Sequence, residues 1–489
     1  MSEADTILVT GATGYVGGRL VPRLIERGYR VRCMVRDPDR LAGRAWLEHA
    51  EVVTGDALDT AALTASMRGV KTAYYLIHGL QGGRVRAERD LAMARNFAAA
   101  ADERRLERII YLGELVDPTA PLSPYLRARH ETGYRLRDGS VPVTEFRAGM
   151  IVGSGSALFE MIRYLVDRQP ILVCPAWFFS QAQPIGIRDV LAYLIAALEQ
   201  PASAGRVIEI GGPARMRYAD MLLGYARERG LKRWLIRTPF FTPRLSAYWV
   251  HMVTPIHWRM VLPLIEGLRL QLVVHDDAAR QLFPDIHPMD FQAAVDLALG
   301  RIRRDTVETS WSDALLTPSG EIKSYQVSTV AGMLVERRQM LLDVPPAAVF
   351  RAYTGVGGGR GWMYMDWAWA MRGWLDKAIG GVGLRRGRRH PDDLRAGESL
   401  DFWRVEEVQA DRLLRLRAEM RLPGQGWFQF ESRPHEGRTL FSMAAYFAPL
   451  GLWGLIYWYL MWPFHKFLFD GLTRRIASRA RLLARSYPT

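Results

Sequence analysis

The pattern of apolar and polar residues alternates between two periods in the first part of the chain. Short, continuous apolar runs at Thr6–Val9 and Val31–Val35 predict buried strands. Between them, apolar residues recur at helical spacing over Gly18–Ile25. Further strands are predicted at Glu51–Asp56, Thr72–Gly79 and Arg108–Gly113, and a helix at Glu88–Arg104. Strands alternating with helices predict an α/β domain on a doubly wound parallel sheet.

Glycines fill the turn between the first predicted strand and the first predicted helix. Its sequence, from Thr10 to Gly17, is TGATGYVG. We expect Gly11 to allow the turn, Gly14 to let the backbone approach a pyrophosphate, and Gly17 to let the helix close on the strand. The alternative is a plain glycine turn. The placement between strand and helix favours a dinucleotide-binding site.

We expect the ends of the next two predicted strands to contact the adenosine of the dinucleotide, one at its ribose and the other at its adenine base. Arg36 ends the second strand, and arginine there suits a ribose 2′-phosphate. We therefore predict a preference for NADP(H), although the neighbouring Asp37 keeps NAD(H) as an alternative. Asp56 ends the third strand, where it would meet the adenine edge.

Two later positions carry residues suited to proton transfer. His78 lies at the end of the fourth strand, which should border the nicotinamide. It would contact the substrate or a phosphate there, and the alternative is a structural histidine. Tyr125 and Arg129 are one helical turn apart. A phenol beside a cation can donate a proton while the cation holds the ribose. The alternative for Tyr125 is an ordinary tyrosine at a helix start.

Together, these motifs and Val143–Gly153 resemble the extended short-chain dehydrogenase/reductases, and within them the atypical, NmrA-like branch. Pro184–Val190 resembles that branch's second substrate-lobe strand and helix. The resemblance implies a substrate lobe over residues 154–300 and cofactor contacts at a set of loop and strand-end positions. These positions are Gly11, Thr13, Gly14, Tyr15, Val16, Gly17, Arg36, Asp56, Ala57, Leu76, His78, Arg129 and Ala148.

The catalytic motif departs from that of the family, which is Tyr-x-x-x-Lys with a serine at the end of strand five. Arg129 stands at the lysine position, and Gly113-Glu114 stands where the serine would fall. Arginine can hold the ribose, but the lost serine removes a hydrogen bond to a carbonyl substrate. The resemblance thus implies Tyr125, Arg129 and His78 as the catalytic set, and leaves a protein that binds the cofactor without this chemistry as the alternative.

The last third of the chain has a different pattern. Residues 311–325 are polar and turn-forming, so we expect them to link a first domain at 1–310 to a second at 326–489. In the second domain, a strand and an early helix at Pro346 precede further strands and a long final helix. The later elements are predicted at Glu398–Val405, Leu413–Met420, Trp427–Ser432, Thr439–Phe447 and 452–485. This α+β order resembles the START-like helix-grip fold, and also an uncharacterised domain that follows such reductases in bacteria.

Tryptophans are concentrated in the second domain. They predict either a pocket for a bulky apolar ligand or core and interface packing. The tryptophans are Trp362, Trp367, Trp369, Trp374, Trp403, Trp427, Trp453, Trp458 and Trp462.

One long segment of the second domain bears on membranes. No Asp, Glu, Lys or Arg lies between Arg438 and Lys466. Two interpretations of this segment remain: a helix that is buried or lies at a dimer interface, and peripheral membrane contact through residues 447–485. A helix that spans the membrane is the least favoured interpretation.

Composition narrows the remaining choices. A net charge of +14 comes almost wholly from arginine and is scattered, so no nucleic-acid partner is predicted. Two cysteines, Cys33 and Cys174, argue against a disulfide framework, and no metal-ligand spacing is found. Without a secretory pattern before the first strand, we expect a cytoplasmic protein, with membrane association as an option.

These interpretations converge on an NADP(H)-dependent oxidoreductase of the atypical short-chain class. The expected substrate is a bulky apolar carbonyl or enone of lipid, quinone or polyketide type. The alternatives are a non-catalytic NADP(H)-binding sensor that controls a partner, and a cofactor-retaining isomerase.

Overall fold

The computed structural model describes residues 6–41, 44–77, 84–116, 122–238, 242–254, 256, 258–303, 325–330, 333–383 and 394–486. The chain divides into two compact units, Met1–Pro318 and Ser319–Thr489. The division falls inside the predicted linker. Each unit is described by itself.

The first unit consists of short strands that alternate with helices. Its strands are β1 (Thr6–Thr10), β2 (Arg30–Val35), β3 (Ala50–Thr54), β4 (Val70–Tyr75), β5 (Arg108–Glu114), β6 (Val143–Ala148), β7 (Ile151–Val152), β8 (Ile171–Pro175), β9 (Gln181–Ala182), β10 (Ile185–Gly186), β11 (Val207–Ile210), β12 (Met216–Arg217) and β13 (Trp234–Thr238). Its helices are α1 (Gly17–Glu26), α2 (Thr60–Ser66), α3 (Arg84–Arg104), α4 (Pro124–Arg137), α5 (Ala157–Arg168), α6 (Ile187–Ala196), α7 (Tyr218–Glu228), α8 (Pro243–Val253), α9 (Trp258–Leu268), α10 (Ala278–Leu282) and α11 (Phe291–Arg303).

A parallel sheet organises this unit. Within the described residues it has seven strands in the order β11-β6-β5-β4-β1-β2-β3, and every neighbouring pair is parallel. The chain moves outward from β1 through β2 to β3, and then crosses to β4 on the other side of β1. Ligands of such sheets bind where the order reverses, at the carboxyl ends of the strands. This point lies between β1 and β4.

Alternate strand residues enter two cores, one on each face of the sheet. On β1, Ile7 and Val9 pack with Val21 and Leu24 of α1, whereas Leu8 packs on the opposite face with residues of α3 such as Phe97. A sheet covered on both faces explains why its strands read as continuous apolar runs. After β6, helices α6 and α10 join the core on the α1 face of the sheet. Most of the other elements after β6 form a smaller lobe, in which β7 pairs with β10 and β8 with β13.

The second unit is built on an antiparallel sheet. Its strands are β14 (Tyr325–Val330), β15 (Met333–Leu342), β16 (Ser399–Leu400), β17 (Trp403–Gln409), β18 (Leu413–Ala418), β19 (Gly424–His435) and β20 (Arg438–Pro449), in the order β14-β15-β20-β19-β18-β17-β16. Its helices are α12 (Pro346–Thr354), α13 (Asp366–Ala378) and α14 (Gly451–Ser486). Helix α14 packs on β15, β20 and α12, and buried aromatic and aliphatic side chains fill the space between sheet and helices. The predicted fold class, a doubly wound parallel sheet with a separate second domain, is confirmed.

Two details of the second unit differ from the sequence prediction. The strand predicted at Glu398–Val405 is divided, because Asp401 has a left-handed φ of +55° and turns the chain between β16 and β17. The carboxylate of Asp401 accepts a 2.7 Å hydrogen bond from the Trp362 indole. Helix α13 was not predicted. Across the described residues, no helix is both long enough and apolar enough to cross a membrane.

Candidate functional site

The backbone that follows β1 makes a turn that excludes side chains at two places. Gly11 has a φ of +80°, and a Cβ there would lie 2.5 Å from the Leu76 carbonyl oxygen at the end of β4. A Cβ on Gly17 would collide with the carbonyl of Gly11. The turn closes with a 2.9 Å bond from Gly14 N–H to the Gly11 carbonyl. The result is an open backbone cradle at the point where the strand order reverses.

Helix α1 begins at Gly17, at the rim of this cradle. Among the described residues no side chain caps its first turn, which also contains no acidic residue. The N–H groups of Gly18 and Arg19 bond to the carbonyls of Gly14 and Val16, so the attraction for an anion in the cradle comes from the positive end of the helix dipole. The loop residues Thr13 and Tyr15 are partly exposed, whereas Val16 is buried beneath them. This geometry fits a pyrophosphate.

A buried arginine joins the cradle to the smaller lobe, and the sequence analysis missed it. Arg19, which is 1% exposed, donates a 2.8 Å hydrogen bond to the carbonyl of Ser154. Its guanidinium lies 4.6 Å from the ring centroid of Tyr15. A Cβ on Gly153 would lie 2.5 Å from the Tyr15 hydroxyl, so the ring packs closely on this turn. No sequence signal marks it, because Arg19 shares the polar face of α1 with Arg23 and Glu26.

The strand ends expected to meet the adenosine lie at the same edge of the sheet. Arg36 follows β2 and is exposed, and Asp56 follows β3 and is partly exposed. Asp56 accepts a 3.0 Å bond from the N–H of Leu58, which fixes the carboxylate beside the turn. Ala57 is 4% exposed, Leu76 after β4 is 7% exposed, and Ala148 at the end of β6 is 3% exposed; all three are packed apolar residues.

Two of the predicted catalytic residues cannot be located in full. His78 lies outside the described residues. Tyr125 lies in the first turn of α4, after the cap provided by Ser123, but its side chain is outside the described part of the structure. Both roles stay predictions.

The position expected to carry a serine is instead part of an ion pair. Glu114 is the last residue of β5, and its Oε2 lies 2.9 Å from Nε of Arg129 on α4. The phenol of Tyr111 donates a 3.2 Å bond to the Arg129 carbonyl, which holds this turn of α4 on the sheet. Burial raises the pKa of Glu114, and the charge of Arg129 opposes that shift. The predicted ribose-binding arginine therefore has a carboxylate partner within the protein.

A second phenol lies within electrostatic reach of this pair. Tyr218 begins α7 and is 2% exposed. Burial raises its pKa, and the negative charge of Glu114 raises it further, so the phenol keeps its proton. Among the described residues its hydroxyl has no hydrogen-bond partner. Tyr218 was missed because it is distant from Glu114 in sequence and belongs to no motif.

One turn further along α7, Leu222 lines a small cavity in the lobe. Its walls are largely apolar and come from α5, β8, α7 and α8. Three buried polar side chains also line it: Gln169, Trp177 and Ser246. Within the described residues, Nε2 of Gln169, Nε1 of Trp177 and Oγ of Ser246 have no hydrogen-bond partner. The cavity volume is about 20 Å³, room for roughly one water molecule, so the three unmet donors fit a small hydrogen-bond acceptor of that size.

A more open groove on the same lobe is cationic. Arg217, Arg237 and Arg269 line it, and all three are exposed. The guanidinium of Arg237 lies 5.0 Å from the ring centroid of Phe179. No acidic side chain occurs among the described residues that line this groove. Three arginines that converge without a carboxylate fit an anionic group.

Two protein-family models match the chain. The family described as NAD(P)H-binding matches residues 11–152, which contain the cradle, the strand ends and the Glu114–Arg129 pair. A family described as a protein of unknown function matches residues 332–472 of the second unit.

Several curated proteins resemble the N-terminal part. A (4-alkanoyl-5-oxo-2,5-dihydrofuran-3-yl)methyl phosphate reductase from Streptomyces griseus is 30% identical, over 42% of this chain and 68% of its own length. A ceramide reductase from Caulobacter vibrioides is 30% identical, over 48% of this chain and 73% of its own length. A divinyl chlorophyllide a 8-vinyl-reductase from Zea mays is 27% identical, but the match spans only 56% of that protein.

Among solved structures, the triphenylmethane reductase of Citrobacter has a TM-score of 0.50. The match covers 60% of this chain and 99% of that one, at 15% sequence identity. At this identity the match concerns the fold, and it supports the Rossmann-type sheet described above.

Proposed function

Because the chain belongs to the NAD(P)H-binding reductase family, we propose that it is an NADP(H)-dependent oxidoreductase acting on a bulky apolar carbonyl or enone. The observation that carries this proposal is the glycine cradle where the strand order reverses, with the uncapped start of α1 at its rim. When bound there, the cofactor supplies the hydride. The substrate is proposed to be of lipid, quinone or polyketide type.

The choice of NADP(H) over NAD(H) rests on the tip of β2. Arg36 is exposed there and is free to turn toward a 2′-phosphate, which its planar guanidinium can bind through two hydrogen bonds. The cradle at Gly11, Gly14 and Gly17 would hold the pyrophosphate for either cofactor. Arg36 therefore decides between them in this proposal.

The lobe supplies the features that suit the substrate. The cavity has apolar walls and the unmet donors of Gln169, Trp177 and Ser246, but its volume is only about 20 Å³. It would have to widen before these donors could bind an acceptor on a bulky substrate. The arginine groove would bind an anionic group, should the substrate carry one. The names of the curated relatives, which include ceramide and an alkanoyl-furanone phosphate, support both chemistries.

Proton delivery is assigned to Tyr125, with Arg129 as its neighbour one turn later in α4. Arg129 would hold the ribose and stabilise the developing phenolate. Glu114 would position Arg129 through the 2.9 Å ion pair. In this arrangement the phenol would give its proton to the substrate oxygen, and solvent would return a proton to the phenolate.

Replacing the phenol tests this assignment. Tyr125→Phe should lower kcat by about a hundredfold or more, the scale of general acid catalysis, and leave NADPH affinity unchanged. The matched control is Tyr134→Phe, an exposed tyrosine on the same helix, which should leave both values unchanged. Turnover that persists in Tyr125→Phe would remove Tyr125 from the mechanism.

The second candidate function is an NADP(H)-binding redox sensor. The observation that favours it is the Glu114–Arg129 pair, because a carboxylate occupies the position of the family's serine and engages the cation. Native mass spectrometry of the purified protein separates the two candidates. NADP(H) bound together with an apolar small molecule supports the enzyme, whereas NADP(H) alone, without oxidation by added carbonyl compounds, supports the sensor.

For the second unit we propose a START-like helix-grip fold. The support is the antiparallel sheet from β14 to β20, the early helix α12 and the long final helix α14 packed on β15 and β20. Its tryptophans divide by exposure. Trp427 is partly exposed and the others fall into two groups: Trp362, Trp369, Trp403 and Trp458 are buried, whereas Trp367, Trp374, Trp453 and Trp462 are exposed. The buried group builds the core, and the exposed group is considered next.

A further inference from the structure

Helix α13 presents an apolar face to solvent. Trp367, Met371, Trp374 and Leu375 are 60%, 48%, 68% and 44% exposed. At 100° per residue these positions share one side of the helix. Its opposite side is packed, since Ala368, Trp369, Gly373 and Asp376 are buried. The helix therefore carries apolar residues on both sides, and only one of these sides packs against the rest of the unit.

The first half of α14 has the same property. Trp453, Ile456, Leu460 and Phe467 are 76%, 46%, 75% and 71% exposed. Their spacing of three, four and seven residues places them in one stripe along the helix. The inward side carries a different set of residues, which are buried: Leu455, Trp458, Leu468, Phe469 and Leu472.

A short loop fastens the two helices to one end of the sheet. In the β18–β19 loop, the N–H of Arg421 donates a 2.6 Å bond to Asp376 of α13. Two residues later, the carbonyl of Pro423 accepts a 2.9 Å bond from the N–H of Leu450, next to the start of α14. The last turn of α13 and the start of α14 thus border a common loop. We use the name Trp-rich surface for these exposed apolar residues of the two helices, which are Trp367, Met371, Trp374, Leu375, Trp453, Ile456, Leu460 and Phe467.

Positive charge continues the stripe of α14 toward its carboxyl end, and the acidic residues of the two helices are already engaged. Continuing the α14 stripe at seven-residue steps gives the exposed Arg474 and Arg481. The acidic residues of the two helices are Asp366, Asp376 and Asp470. Asp366 accepts a 2.6 Å bond from Trp362 N–H, Asp376 is buried, and Asp470 pairs with Arg338 at 2.6 Å.

We propose that the Trp-rich surface docks the protein on an anionic lipid bilayer, with the first half of α14 lying in the plane of the interface. Large aromatic and aliphatic side chains next to arginines suit the boundary between acyl chains and headgroups. A second copy of the chain would bring like charges together, whereas an anionic bilayer complements them. This proposal is independent of the proposed reaction, because it concerns the second unit alone.

Vesicle binding by the full-length chain tests the proposal. The probe is extruded phosphatidylcholine vesicles with about a third phosphatidylglycerol, compared with phosphatidylcholine alone. We expect flotation with the anionic vesicles, a blue shift of tryptophan emission, and weaker binding at high salt. Two double variants, Trp367→Ser with Trp374→Ser and Trp453→Ser with Leu460→Ser, should each weaken binding by roughly tenfold or more.

A matched control uses an equally exposed tryptophan elsewhere. Trp234→Ser in the first unit, where Trp234 is 67% exposed, should leave vesicle binding unchanged. Matching thermal unfolding of all variants establishes that the changes act at the surface. Absence of binding by the wild-type chain, or equal binding by the double variants, would overturn the proposal. A third outcome would also overturn it. If the wild-type chain does not bind vesicles but sediments as a dimer, and the double variants dissociate that dimer, the surface binds a second copy of the chain.

Discussion

Both units bury charged side chains, but at different places in their sheets. In the first unit, Glu114 and Arg129 meet at the carboxyl end of β5, beside the glycine cradle. In the second, Arg338 on the interior strand β15 is 3% exposed and lies 2.8 Å from Glu336 and 2.6 Å from Asp470 of α14. The first pair is at an edge where ligands bind. In the second group, Arg338 and Glu336 are buried between sheet and helix, and Asp470 is partly exposed.

The difference teaches that burial alone does not identify a functional charge. A charge sealed between packed layers acts on folding, because its partners are all within the protein. A charge at the carboxyl edge of a parallel sheet can exchange its partner for a ligand. The following experiments test whether this division holds.

The largest effect is expected from Arg338→Leu. The change leaves Glu336 and Asp470 without their cation, which for a buried pair costs about 3–5 kcal/mol of unfolding free energy. Urea unfolding followed by tryptophan emission should show the loss in the second unit. NADPH affinity, measured by calorimetry, should not change. If the variant bound NADPH more weakly but unfolded like the wild type, the assignment of Arg338 to folding alone would be wrong.

His465 provides a pH test of the same buried group. Burial, followed by the charge of Arg338, lowers the pKa of His465 from 6.5 to about 4. Between these values the unfolded chain binds a proton that the folded chain does not, so stability is lost as pH falls from 6.5 toward 4. The loss amounts to about 3 kcal/mol by linkage. Unfolding midpoints of wild type and His465→Phe should diverge in this window. Parallel curves would contradict the shift.

Arg129→Leu should act on catalysis. We expect kcat/KM to fall by about a hundredfold, since both ribose binding and support of the phenol are lost. The effect on stability should be smaller than that of Arg338→Leu, because Glu114, with its raised pKa, can take up a proton when unpaired. Arg127→Leu, an exposed arginine on the same helix, is the control. A stability loss without a kinetic effect would make this pair structural too.

The smallest effect is expected from Arg36→Ala. Loss of the 2′-phosphate contact should weaken NADPH by roughly tenfold and leave NADH nearly unchanged, since only NADPH carries that group. Dissociation constants of both cofactors, measured by fluorescence titration, check this. Equal weakening of both would place Arg36 elsewhere in the site.

The glycine cradle could be predicted because its information is local. The strand, the turn and the helix start are contiguous in sequence. Gly11 has a φ of +80°, which residues other than glycine rarely adopt. The buried strands of the first sheet were recognised for a similar reason, since residues packed on both faces leave continuous apolar runs.

The Glu114–Arg129 pair and helix α13 were beyond sequence reasoning for different reasons. Residues 114 and 129 lie on different elements, β5 and α4, and they meet only when the helix packs on the sheet. Helix α13 begins after Met365, which has a left-handed φ of +50°, and no capping side chain marks its start. Tyr218 likewise approaches Glu114 only through tertiary packing.

The buried Arg19 has a consequence for how two ligands would influence each other. Its guanidinium contacts both Tyr15 of the cradle and the Ser154 carbonyl, where the lobe begins. A cofactor that orders the cradle would thereby also order the start of the lobe. Such coupling is reciprocal, so each ligand would raise the affinity for the other by the same factor. Cooperative binding of nucleotide and substrate would then depend on one side chain that belongs to neither pocket.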